Sequence, residues 1–374
     1  MKKLTFFLLC LEGAILSFNV AAVAALIPSI SRHFLVEEFY AGKLIWLYMV
    51  PYGLAALFYG PWVRSVNAKS VELLSMSLFS VSSLIAASAH NINVLFAARL
   101  FTGLFGASVI PLALILISRQ ATPASRGRYV GIFFSATFVA SLLGLFLSGI
   151  INWRLVFFIP GIAGLISCIP MRIYLPDFPA ERNTFKLNYF NTLKDRKIFS
   201  IFTYIFFISI FYHGIQQWLG VYFSLKFGLS QLLISMLITL TSLSGILGEA
   251  AGGWFSDLFG RKKVADAGII LMIASIFMLV LKQPVLSIAL LMIIWGLGWT
   301  FNHAAISTML TDLPQEFLNE AASLNSGVRF LAGGLGVFLS GLFMQKSFVM
   351  GFSVIGVCLI GLLISSGILL AKTN

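Results

Sequence analysis

The sequence predicts an all-α membrane protein of twelve transmembrane helices in two six-helix halves, with both termini cytoplasmic. Three observations predict it. The 374 residues are 59% hydrophobic and only 10% charged, with a mean hydropathy of +0.98, whereas a soluble domain carries about 25% charged residues. Apolar runs near the roughly 20 residues that cross a bilayer as a helix recur along the whole chain. Lys and Arg gather in alternate connections between those runs, as the positive-inside rule requires.

The expected spans are 4–28, 40–62, 71–90, 93–118, 129–151, 154–175, 198–222, 230–254, 264–282, 285–309, 320–344 and 348–371. Met1-Lys2-Lys3 before an apolar run resembles a signal peptide, but Glu12 and Asn19 interrupt the run, so an uncleaved first span is expected. The polar stretch 176–197 separates the sixth and seventh spans, giving an N-terminal half 1–175 and a C-terminal half 198–374. With both termini inside, the cytoplasmic set is Lys2, Lys3, Arg64, Lys69, Arg119, Arg126, Arg128, Arg172, Arg182, Lys186, Lys194, Arg196, Lys197, Arg261, Lys262, Lys263 and Lys372. The outer set is smaller: Arg32, Lys43, Arg154, Lys226, Lys282 and Lys346. The formal charge of +12 is therefore read as topology and not as nucleic-acid binding.

Several classes are excluded. No G-x-x-x-x-G-K-[ST] phosphate loop occurs, so ATP drive from this chain is not expected. Cys10, Cys168 and Cys358 fall inside apolar runs, so neither a disulfide nor a metal site is expected. No catalytic triad or flavin fingerprint appears, so the chain is not read as an enzyme and no cofactor is expected.

One turn stands out: Gly253-Trp-Phe-Ser-Asp257-Leu-Phe-Gly260-Arg261-Lys262-Lys263. Gly253 is expected to let two helices approach, and Gly260 suits a tight turn. Asp257 can accept hydrogen bonds from a helix N-terminus. A degraded copy, Tyr59-Gly60-Pro-Trp-Val-Arg64-Ser-Val-Asn67-Ala-Lys69, follows the second span. There Gly60 matches Gly253, and Arg64 replaces the aspartate.

The turn resembles the G-x-x-x-D-x-x-G-R-K-x loop signature of the major facilitator superfamily. Arg99-Leu-Phe-Thr-Gly103-Leu-Phe-Gly106-Ala107 resembles that family's R-x-x-x-G segment. Asn152-Trp153-Arg154 and Ala25-Leu-Ile-Pro28 are similar to segments of its drug-efflux branches. One departure is that Ala140-Ser-Leu-Leu-Gly144 in span five lacks the proline of the proton-antiporter branches. The resemblance implies a secondary transporter of a small molecule in a lipid bilayer, driven without a cofactor, with a bacterial inner membrane as its expected location. A monomer is expected. It further implies that loop residues latch each half against the other. Gly60, Arg64, Glu249, Gly253, Asp257, Gly260, Arg261 and Lys262 would form that cytoplasmic gate. Asp257 would face the start of span five near Arg126 and Arg128. Arg64 would face Glu316 and Glu320 in a charge-swapped latch.

Ionisable and polar groups inside spans are functional candidates by default. Glu12 shares a helical face with Leu16 and Asn19, and a buried carboxylate suits a proton carrier, a contact for a cationic cargo, or a structural pair. Arg99 is a candidate for coupling or for an interhelical hydrogen bond. Span seven sets Ser209, His213, Gln216 and Gly220 on one face, with Gln217 and Trp218 beside them. Span ten offers Trp295, Trp299 and Asn302, with His303 adjacent. Histidine titrates near neutrality, so His213 and His303 are further proton candidates. Asn325 and Arg329 share a face of span eleven and suit a cavity carboxylate or an anionic cargo.

Two readings follow for the cargo. Glu12, the tryptophans and the drug-efflux-like segments favour proton-coupled efflux of hydrophobic or cationic compounds. Arg99, Arg329 and the histidines favour uptake or exchange of a small polar or anionic metabolite. A transporter-like sensor is the remaining reading.

Overall fold

The computed structural model describes residues 2–177, 189–281 and 283–370, which form two compact units divided between Leu187 and Asn188. The side chains of Arg64, Arg126 and Glu316 and the surroundings of Gly60 lie outside the described residues, as do Arg182, Lys186, Lys282 and Lys372. All regular structure among the described residues is helical.

The N-terminal unit contains α1 (Lys3–Phe34), α2 (Glu38–Ala41), α3 (Lys43–Ser65), α4 (Ala68–Ala87), α5 (Ile92–Gly106), α6 (Val109–Gln120), α7 (Pro123–Leu147) and α8 (Trp153–Tyr174). The C-terminal unit contains α9 (Tyr189–Lys194), α10 (Arg196–Gln216), α11 (Leu219–Phe227), α12 (Gln231–Phe259), α13 (Arg261–Leu279), α14 (Val285–Thr311), α15 (Gln315–Met344) and α16 (Phe348–Leu369).

Polar caps punctuate the apolar sequence. Asn67, Asn91, Asn152, Asp195, Ser230 and Ser347 each accept a backbone N–H at a helix start, satisfying donors that no turn of the helix can reach. Two expected spans are each built from two helices. The run 93–118 parts at Ala107–Ser108 into α5 and α6, where the Ser108 hydroxyl donates back to the Phe105 carbonyl (3.0 Å). The seventh run parts at Gln217–Trp218, where the indole Nε1 of Trp218 donates to the Val337 carbonyl (3.0 Å) and pins α11 to α15.

Eleven described segments are long and apolar enough to cross a membrane. The expected ninth span, which corresponds to α13, is not among them. Arg261, Lys262, Lys263 and Asp266 crowd its first two turns and leave too short an uninterrupted apolar stretch.

Within each unit, helices meet where a glycine gives way to a backbone carbonyl. A Cβ on Gly144 of α7 would stand 2.3 Å from the Phe18 carbonyl oxygen of α1. In the C-terminal unit a Cβ on Gly336 of α15 would stand 2.2 Å from the Ile210 carbonyl oxygen of α10. Gly103 of α5 meets the Tyr48 carbonyl of α3 in the same way, and Gly296 of α14 meets the Thr241 carbonyl of α12. Phe18 and Ile210 stand as far apart in the chain as Gly144 and Gly336. Tyr48 and Thr241 stand as far apart as Gly103 and Gly296, a spacing that also separates Gly60 from Gly253. The weak sequence repeat is thus a repeat of packing. Lipid tails give no hydrophobic drive between helices, so close backbone approach and dispersion take its place.

Candidate functional site

The signature turn lies between α12 and α13. Gly260 has φ +91° and ψ 142°, a conformation that only glycine adopts without strain, so its expected part in the turn is met. Gly253 behaves otherwise than expected: a Cβ there would touch nothing. The close approach falls on the preceding residue. A Cβ on Gly252 would stand 3.1 Å from the Phe301 Cα, and one on Gly248 would stand 2.0 Å from the Thr300 hydroxyl. Helical periodicity sets Gly245, Gly248 and Gly252 on one face toward α14, and Gly253 is rotated off it.

Two charges of the turn pair inside the C-terminal unit. Arg261 pairs with Asp312 just past the end of α14. Lys262 Nζ lies 2.6 Å from Asp266 Oδ2, whose Oδ1 accepts from Ser366 of α16 (2.6 Å). Asp257 is exposed and does not cap α13, whose N-cap is Gly260. Glu320 is half-buried on α15.

In the N-terminal unit, Arg99 is buried, and its donors go to neutral acceptors. Nη1 donates to Asn19 Oδ1 (2.9 Å) and Nε to the Leu44 carbonyl (3.3 Å). Its guanidinium lies 4.3 Å from the Tyr48 ring centre, within cation–π range. Arg99 thus ties α5 to α1 and α3, and among the described residues it forms no ion pair.

Glu12 is fully buried on α1 and has a neighbour the sequence reading missed: Glu72 of α4, also fully buried, lies within interaction range of its carboxyl group. Apart from each other, the two carboxyl groups have no hydrogen-bond partner, and no described cation pairs with either. Cys168, near both, bonds to Ser77 (3.4 Å), and Tyr59, near Glu72, bonds to Ser75 (3.3 Å). Two adjacent carboxylates out of water repel, and a proton held between them is the cheapest counter-charge. Glu72 was legible in principle. Asn67 caps α4, which sets Glu72 in its second turn, inside the span and not in the loop.

The C-terminal unit gathers the other candidates and divides them. Gln216 and Trp295 engage each other: the indole Nε1 donates to Gln216 Oε1 (2.7 Å), and Gln216 Nε2 donates to Thr241 (3.2 Å). Asn302 is fully buried and donates to the Ala265 carbonyl (3.1 Å) and to the Tyr204 hydroxyl. These three therefore tie helices together. Gln217 lies at the α10 terminus with its backbone N–H on the His213 carbonyl (3.2 Å).

Trp299, His213, His303, Asn325 and Arg329 form a second group with unengaged polar atoms. Tyr212, which the sequence reading also missed, lies over Trp299 with ring centres 3.7 Å apart and planes at 8°. His213 meets Trp299 edge-on at 5.8 Å, and His303 lies 5.7 Å from it. His303 Nδ1 is 2.5 Å from Glu249 Oε1, so Glu249 belongs with this cluster as well as near the turn. Arg329 Nε donates to Asn325 Oδ1 (2.7 Å), and its guanidinium lies 5.7 Å from the Trp299 ring. The side chains of Ser209 and His213 each keep a buried polar atom without a partner. No group of three or more metal-ligating side chains occurs among the described residues.

Known proteins share this plan. The purine ribonucleoside efflux pump NepI of Salmonella paratyphi B is 25% identical over 316 residues, covering 82% of this chain and 78% of NepI. The uncharacterised MFS-type transporter YbcL of Bacillus subtilis is 20% identical over 342 residues, covering 89% of this chain and 88% of YbcL. Among solved structures, the nucleoside transporter NupG superposes with a TM-score of 0.77 at 14% identity, covering 98% of this chain and 100% of NupG. The last likeness carries the fold alone. The Major Facilitator Superfamily model matches residues 9–340. The chain belongs to that superfamily and is a multi-pass membrane transporter of a small molecule, not an enzyme.

Proposed function

We propose that the chain is a proton-coupled secondary transporter that exports a small polar organic compound by alternating access. In this reading it spans the bacterial inner membrane twelve times with cytoplasmic termini, α13 being the ninth span. Its 19 residues would rise roughly 28 Å at 1.5 Å each, close to the hydrocarbon thickness. The halves are 1–175 and 198–374, with 176–197 as the linker.

The observation that carries the proton coupling is the pair of buried carboxyl groups, Glu12 and Glu72, which have no partner but each other. Intramembrane carboxyl groups held without a cation are suited to take up and release a proton. Arg99 holds Asn19 of α1 and the α3 backbone in place and is given a positioning role. The efflux direction is supported by the efflux relative NepI. The polar cargo is supported by Arg329: a buried cation in the cluster disfavours a cationic compound. The second cargo reading, a small polar or anionic metabolite, therefore fits the geometry better than a hydrophobic or cationic one, while efflux is retained from the first.

The test is flux in proteoliposomes under an imposed pH gradient, with a panel of nucleosides, organic acids and cationic drugs. Proton-driven flux of a polar compound that disappears in Glu12→Gln supports the reading. Flux indifferent to the gradient would make the protein a facilitator, and gradient-driven flux unchanged in both Glu12→Gln and Glu72→Gln would remove the pair as carrier.

A further inference from the structure

We infer that the aromatic cluster of the C-terminal unit is a receptor for one oxyanion, and that the cargo presents a carboxylate or phosphoryl group to Arg329. The inference rests on the transporter reading and names the chemistry of its cargo.

Arg329 is only 8% exposed. Its Nε is taken by Asn325 one turn earlier on α15 (2.7 Å), which orients the guanidinium plane. The outward fork, Nη1 and Nη2, is buried and has no partner on either nitrogen. A guanidinium is always charged, and its fork matches the two oxygens of a carboxylate or phosphoryl group. A cation buried with its fork empty is an unsatisfied arrangement unless a ligand completes it.

The neighbouring charges leave that place open. Glu249 is within electrostatic reach of Arg329, and its Oε1 lies 2.5 Å from His303 Nδ1 without a hydrogen bond between them. Among the described residues, no carboxylate forms an ion pair with Arg329. The remaining titratable neighbours are His213 of α10 and Tyr204 of α10. Tyr204 is occupied by Asn302. His213 is not: its Nδ1 is buried without a partner, as is the Ser209 hydroxyl one turn earlier. Trp299, braced by Tyr212, gives the fork a rigid aromatic wall. The unengaged groups are thus a fixed cation and an imidazole nitrogen beside an aromatic face, with the Ser209 hydroxyl one turn along α10 from the imidazole. This set suits an oxyanion attached to a flat or apolar body. Glu249 acts as a weak competitor, because its charge partly offsets Arg329 when the site is empty.

The experiment is calorimetric titration of the purified full-length chain in detergent. The probes are benzoate, phenyl phosphate, benzamide, benzylammonium and inosine. Benzoate or phenyl phosphate should bind at least tenfold more tightly than benzamide, and the stronger of the two identifies the oxyanion. Arg329→Gln should weaken that binding at least tenfold, and Glu249→Gln should tighten it. If Arg329→Gln does not fold by size exclusion, Arg329→Lys keeps the charge without the fork and should still lose several-fold in affinity. Equal binding of benzoate and benzamide overturns the proposal. So does oxyanion binding that survives the Arg329 variants, or inosine as the preferred ligand. Titration needs no gradient, so the two readings fail separately. Proton-driven flux of a neutral compound with no oxyanion binding sinks only this inference. Oxyanion binding without gradient-driven flux of any compound sinks only the coupling.

Discussion

The two halves of the chain repeat a scaffold and differ in what they bury. Gly144 against the Phe18 carbonyl has its counterpart in Gly336 against Ile210, and Gly103 against Tyr48 has its counterpart in Gly296 against Thr241. The polar interiors do not correspond. The N-terminal unit satisfies its buried arginine, Arg99, and leaves two carboxyl groups, Glu12 and Glu72, with no partner but each other. The C-terminal unit sets His303 close to its carboxylate, Glu249, and leaves the fork of its buried arginine, Arg329, without a partner. Backbone packing tolerates few residues at a contact, so it persists through the repeat. A polar group inside a membrane is costly wherever it stands, so the weakly partnered ones are where the proposed tasks of the two halves are placed.

The largest expected effect tests that division. Glu12→Gln or Glu72→Gln should lower proton-driven flux at least tenfold in proteoliposomes, while a thermal melt shows no loss of stability, because the amide can donate to the remaining carboxylate as the protonated glutamate does. A variant that melts much earlier and loses flux only in proportion would make the pair structural.

The shared scaffold makes a second, symmetric prediction. Gly103→Ala and Gly296→Ala should each destabilise by about 1–3 kcal/mol, since each Cβ would press on a backbone carbonyl. Gly253→Ala, in open space, should change stability by less than about 0.5 kcal/mol. Chemical denaturation of the three variants checks this, and a large loss at Gly253 would restore the packing role expected from its motif.

Next in size is Trp295→Phe. It strands Gln216 Oε1 in the interior and should cost about 1–3 kcal/mol. Trp299→Phe strands no such acceptor and should cost less in the same melt while weakening cargo binding. Equal stability losses would remove the distinction between the tying and the receiving groups of the C-terminal unit. The smallest effect belongs to the half-exposed Arg261–Asp312 pair. Asp312→Asn should shift stability by no more than about 1 kcal/mol, so a strong transport defect there would point to conformational change and not to folding.

Much of the fold was legible in the residues. Span length and composition are local properties, and so is the demand of the turn at Gly260 for a residue free to take φ +91°. The limits were equally physical. The expected ninth span corresponds to α13, where charge in the first two turns leaves it short of the apolar length that eleven other segments reach. The breaks in the fourth and seventh expected spans depend on Ser108 and Trp218, which bond to backbone that the apolar pattern does not reveal. At the site, Glu12, Arg99, Trp299 and Arg329 could be named because polar groups are conspicuous in an apolar span. Glu72 was overlooked because it lies close to the polar end of its helix, and Tyr212 because an aromatic residue in such a span is unremarkable.

By itself, then, the sequence determined a helical membrane protein of the major facilitator type, with repeated halves and a glycine-dependent turn. The tertiary structure decided that Gly252 and not Gly253 meets α14, that Gln216 and Trp295 satisfy each other, that Glu72 joins Glu12, and that the Arg329 fork is left open. The reason is helix rotation. Each residue advances about 100° around the axis, and helices apolar on nearly every side carry little local signal of which face turns inward. Only packing against the neighbours sets that angle, and with it which polar groups meet.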